Sequence, residues 1–159
     1  MAPIIRLKDV IENMDAIGDE IKTFLNIRTG EFVTLSTEEL GAAEEGEDIQ
    51  NFPEWQQAVI QQAEAVLFTD DYRELPTRFD IHEYKIMENF CYTVEDEALS
   101  RRLLNGIQGR GAFRYFKDTV YQFGIERDWY QFREQAFKEI AIEWLQSNEI
   151  AYTDENEEG

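Results

Sequence analysis

One cysteine, one histidine and three prolines occur in 159 residues, and the shortages exclude whole classes of protein. Cys91 has no partner for an internal disulfide, so the chain is not a disulfide-stapled secreted scaffold. A lone His82 cannot supply the paired histidines of a helical zinc site. No stretch approaches the ~18 consecutive apolar residues of a membrane-spanning helix. Residues 1–6 lack the charged region and long apolar run that open a secretory signal, so a cytoplasmic location is expected. Basic residues are scarce as well: 15 Lys and Arg stand against 34 Asp and Glu, a net charge of −19. Such a surface repels nucleic acid and anionic membrane at long range. It excludes general nucleic-acid binding and membrane association as expectations and favours a basic protein as partner.

What is present is a core. With 43% hydrophobic and 13% aromatic residues, the chain can bury a sizeable interior, and its length fits one domain. The expected fold is mainly α with a small β-hairpin near the N-terminus, an α+β class in a compact helical domain over residues 1–150. Leu7, Val10, Ile11 and Met14 place one apolar stripe on a short helix that ends near Gly18. Alternation from Ile21 to Ile27, a turn at Thr29-Gly30 and the run Phe32 to Leu35 predict the hairpin, at about residues 20–35. It must pack on helices, because an isolated two-stranded hairpin is marginal in water.

From Ser36 onward the signals are helical. Ser36 and Glu39 form a capping box at the start of one helix, which runs into the acidic stretch Glu44 to Asp48. Another helix starts near Pro53, with Trp55, Val59, Ala63 and Val66 on its packed side. Asp80 and Glu83 are expected to form a second box, with Phe79 and Tyr84 as a hydrophobic staple and one continuous helix through Cys91. Thr93 with Asp96 opens the next helix and Gly106 ends it. Helices follow over about 111–121 and 126–147, then a disordered acidic tail over 151–159 with nothing to pack against.

Several segments are similar to a known family: the N-terminal helix leading into the Thr29-Gly30-Glu31 hairpin, FDIHEYKIMENFC at 79–91, GRGAFRYFKDT at 109–119 and WYQFREQAFKEIAIEWL at 129–145. Together they resemble the bacterial Uncharacterised Protein Family 0158 over nearly the whole chain except the acidic tail. The resemblance implies a bacterial, cytoplasmic, single-domain protein and brings no established activity, cofactor or catalytic residue to carry over.

Charge is unevenly spread. Between Thr29 and Tyr72 eleven acidic residues occur and no lysine or arginine; between Ala98 and Lys117 the order reverses, with Arg101, Arg102, Arg110, Arg114 and Lys117 and no acid. At 100° per residue, Arg110, Arg114, Lys117 and Tyr121 share one helical face, opposite Ala112, Phe116, Thr119, Val120 and Phe123. The Gly109-Arg110-Gly111 segment opens that helix, where free N–H groups favour an anion and glycine permits close approach. These residues form a candidate site for a phosphate-bearing ligand or an acidic partner. The alternative is a stripe that pairs with the chain's own acidic segment or is only solvated. The spacing is not that of a phosphate-binding P-loop.

His82 and Arg133 are secondary candidates. On one continuous helix His82 and Cys91 would point to opposite sides, and Cys91 would share an apolar arc with Met87 and Tyr84 as a buried, inert thiol. Arg133 lies inside an apolar arc made by Trp129, Phe132, Ala136, Phe137, Ile140 and Trp144, so it must be paired or line a cleft. The acidic run Glu44 to Asp48 lacks the spacing and central glycine of a calcium loop. It reads as a solvated surface that can face a basic protein or imitate a nucleic-acid backbone. No catalytic residue, metal site or cofactor is assigned. The leading functional expectation is a non-enzymatic regulatory or protein-interaction protein, and the alternative is a small anion-binding module for nucleotide or nucleic-acid phosphates.

Overall fold

The computed structural model describes residues 2–16 and 18–154. The architecture is mainly α-helical with a small sheet, as the periodicities predict. Its residues group into two compact units, Met1–Asp80 with Ile140–Gly159, and Ile81–Glu139.

The first unit begins with β1 (Ile5–Arg6) and α1 (Leu7–Asp15), which buries Leu7, Val10 and Met14 on its apolar stripe. β2 (Ile21–Asn26) and β3 (Phe32–Ser36) form the expected hairpin, with Leu25 opposite Phe32. A third strand, β4 (Tyr72–Glu74), adds to the other edge of β2, giving the order β3-β2-β4. Both edges of β2 are thus paired, and Thr23, Phe24 and Leu25 are buried in succession, not on alternate residues. β4 escapes sequence reading because three residues, two of them charged, carry no alternation.

α2 (Thr37–Glu45) starts at the predicted box: the Glu39 N–H donates to Ser36 Oγ and the Ser36 N–H donates to Glu39 Oε1, both at 3.1 Å. After a short 3₁₀ turn, Ile49–Asn51, α3 (Glu54–Phe68) packs against α2. The cluster of Phe24, Leu35, Ala42, Ala43, Ile60, Ala63 and Val66 is the core here. Trp55 is a correction. Expected on the packed side, it is 70% exposed, because it projects from the first turn of α3 while Phe52 packs against the cluster.

α4 (Arg78–Ile81) leads to α5 (Glu83–Thr93), and the expected single helix is interrupted at His82. The reason is local. Thr77, not Asp80, takes the capping role: the Asp80 N–H donates to Thr77 Oγ1 at 3.2 Å, and the Thr77 N–H donates to Asp80 Oδ2 at 3.0 Å. That box starts α4 one turn early, and His82 then adopts a left-handed φ of 56° before α5 begins. The staple fails too. Phe79 is 90% exposed, and Tyr84 instead donates its hydroxyl to the Ile107 carbonyl at 2.9 Å.

The second unit continues with α6 (Glu97–Gly106), α7 (Ala112–Gln122) and α8 (Glu126–Ser147), whose residues from Ile140 onward belong to the first unit. Asp96 alone caps α6, accepting from the Ala98 and Leu99 N–H groups; the Thr93 hydroxyl donates back to the Phe90 carbonyl. Phe90, Phe116 and Trp129 meet edge to face in the core of this unit. In the first unit, β5 (Tyr152–Thr153) runs parallel to β1, with Ile5 opposite Tyr152. The start of the expected tail is thereby corrected, since backbone pairing needs no apolar side chain to signal it. Residues 155–159 of that tail lie outside the described residues. No helix among the described residues is long and apolar enough to cross a membrane.

Candidate functional site

The net charge is carried almost wholly by one unit. Residues 1–80 and 140–159 hold 24 acidic and six basic residues, a charge of −18, whereas residues 81–139 hold ten acidic and nine basic residues, a charge of −1. A basic patch on the second unit therefore does not stand within a uniformly acidic sequence background.

That patch lies on α7. Gly111, with φ 73°, caps the helix, and Gly109 and Gly111 are open, with nothing within 4 Å of where a Cβ would stand. Arg110 consequently precedes the helix and is not part of its face. Arg114, Lys117 and Tyr121 do share a face, and all are exposed. Phe116, Thr119 and Val120 are buried opposite them, which is what fixes the stripe toward solvent. Among the described residues Arg110, Arg114 and Lys117 form no ion pair. Within the second unit the stripe is exposed to solvent.

Two features of the patch were missed. Phe113, 45% exposed, stands four residues before Lys117, at the border between the stripe and the buried face, so an aromatic ring flanks the cationic groups. The i, i+4 spacing was the available signal. Gly106, read as a helix terminator, lies directly beneath Tyr115, whose ring occupies the space a Cβ at 106 would need. The Arg102 Nε donates to the Tyr115 hydroxyl at 3.3 Å, and the Arg102 guanidinium lies 5.3 Å from the centre of the Phe123 ring. Arg102 is thus tied to aromatic residues on and just after α7, and Phe123, expected on the core face, is 43% exposed beneath it. No sequence periodicity reports contacts of this kind between helices.

The secondary candidates separate. His82 is exposed at the junction before α5, while Cys91 is fully buried within it, so the two form no pair. Burial in apolar surroundings pushes the Cys91 thiol up from 9.0 to about 11, the opposite of what a nucleophile requires. The unfolded chain therefore loses this proton first, so the thiol's contribution to stability is present below pH 9 and is lost as pH rises toward 11. N-ethylmaleimide at pH 8 is expected to label Cys91 in the folded protein at least about 100-fold more slowly than in urea, as two units in pKa demand. Equal rates would show that the thiol is not shielded. Arg133 is engaged within the unit: its Nε donates to Glu83 Oε2 at 2.7 Å and its guanidinium lies 4.2 Å from the centre of the Phe137 ring. Glu83, expected as a capping residue, is the carboxylate that answers the requirement for a partner. Among the described residues no three histidine, cysteine or acidic side chains converge to hold a metal ion.

No solved structure matches the chain. A UPF0158 protein of Pseudomonas aeruginosa is 30% identical over 66 residues, 41% of this chain, and the match spans only 43% of that relative's own length. The family described as Uncharacterised protein family (UPF0158) matches over residues 1–158. A match that runs almost from end to end decides membership: the chain belongs to the uncharacterised protein family UPF0158.

Proposed function

We propose that the protein is a non-enzymatic interaction protein of the bacterial cytoplasm that meets a basic protein partner through its acidic first unit and offers the α7 stripe as a second, anion-facing contact. The observation that carries this reading is the division of charge, −18 against −1, between the two units. On the first unit Glu44, Glu45, Glu47, Glu54 and Glu64 are exposed and have no basic partner among the described residues. Such a field accelerates encounter with a basic protein and weakens as salt is added.

The test compares the parent with Glu44→Gln/Glu45→Gln/Glu47→Gln and with Arg114→Glu in affinity capture from bacterial lysate at low and moderate salt. Basic proteins retained by the parent should be lost by the triple variant and kept by Arg114→Glu. Retention that is indifferent to the triple variant removes the reading. A second reading, a phosphate-binding module on Arg110, Arg114 and Lys117, is favoured by the open glycines and the unpaired stripe. Thermal stabilisation by nucleotides, short RNA or polyphosphate that Arg114→Glu loses would move that reading to first place. No stabilisation of either protein would eliminate it.

A further inference from the structure

A cleft of about 790 Å³ opens in the second unit between the residues joining α5 to α6 and the turn joining α7 to α8. Its floor is apolar. Phe90 and Leu99 are buried there, Ile125 and Phe132 are half-buried, and Phe123 stands at the side. Its rim carries the carboxylates of Glu95, Asp96 and Asp128, and no lysine, arginine or histidine lines it. Asp96 is committed to capping α6, but the side chains of Glu95 and Asp128 have no hydrogen bond or ion pair among the described residues. The Phe123 ring at the side already holds the Arg102 guanidinium, a residue that does not line the cleft, so the pull on a ligand cation comes from the rim carboxylates.

An apolar floor below a negative rim selects a group with an aliphatic body and a positive end. A neutral apolar ligand would leave two carboxylates against its edge without a partner, and an anion would be repelled. Sites for free small molecules enclose most of the ligand, whereas this cleft is only partly enclosed, which suits a side chain whose backbone stays outside it. We infer that the cleft takes a lysine or arginine side chain, with an apolar neighbour, from a partner polypeptide. The stem packs on the floor and the charged end reaches Glu95 and Asp128. This site is built from residues of the second unit alone and stands or falls independently of the proposed function.

The probe is a fluorescein-labelled peptide of alternating arginine and leucine, compared with the same peptide carrying uncharged citrulline for arginine. Binding is followed by anisotropy at low salt, and its place by amide hydrogen exchange. The arginine peptide should slow exchange over residues 93–99 and 123–132, and the citrulline peptide should not. Glu95→Gln/Asp128→Asn, which alters two exposed side chains with no hydrogen bond or ion pair among the described residues, should weaken binding about tenfold and abolish that protection. The first-unit variant Glu44→Gln/Glu45→Gln/Glu47→Gln should leave the protection in place. Binding lost only in the first-unit variant would overturn the cleft and leave the proposed function standing. Equal protection by the citrulline peptide, or by benzylamine at the same concentration, would overturn the assignment of a basic peptide side chain.

Discussion

Phe116→Ala is expected to destabilise the protein by about 3–5 kcal/mol and to lower its melting midpoint by roughly 10 °C. Phe116 is 1% exposed, and its ring centre lies 6.0 Å from that of Phe90 and 4.7 Å from that of Trp129, both edge to face. Those three rings come from α5, α7 and α8, so truncation leaves a cavity where three helices meet. The better helix propensity of alanine recovers only about 0.5 kcal/mol and cannot decide the sign. Phe116→Leu, which fills part of the space, should lose roughly 1–2 kcal/mol. Thermal and denaturant melts followed by circular dichroism measure both. An alanine variant with an unchanged midpoint would mean that this ring does not hold α7, and the fixed presentation of Arg114 and Lys117 would lose its basis.

Local rules recovered what local rules control. The Ser36 and Glu39 box, the limits of α8 and the buried face of α7 follow from residues within a turn or two of one another. Competition between local rules was harder to resolve. Asp80 could cap the helix after it or close a box with Thr77 before it, and the second choice broke the expected helix at His82. Strands too short to alternate, such as Tyr72–Glu74 and Tyr152–Thr153, exist because a partner strand is present, which no window of sequence contains. The charge reversal between the 29–72 and 98–117 stretches was legible; that it follows a division into two units was not. The cleft was invisible for the same reason: it needs Phe90, Phe123 and Phe132 brought together from three elements.

Arg133 shows how far a sequence argument reaches before geometry must finish it. An arginine in an apolar arc requires a partner, but nothing in the sequence singles out Glu83, fifty residues away, among 34 acids. The two side chains are 22% and 29% exposed, so solvent screens the pair only partly. A charged hydrogen bond in such a setting contributes about 1.5–3 kcal/mol, and the guanidinium over Phe137 adds roughly 0.5–1 kcal/mol. Methionine restores part of the packing along the stem, so Arg133→Met is expected to cost about 2 kcal/mol. Glu83→Gln should cost about 1–2 kcal/mol, because it removes the charge both from the pair and from the first turn of α5. The double variant should cost less than the two singles together, with a coupling of about 1–2 kcal/mol measured by denaturant unfolding. Additive losses would mean that Arg133 and Glu83 act separately, and would return Arg133 to the role of an arginine held for an anionic ligand. Strong coupling makes it the tie between α8 and the start of α5.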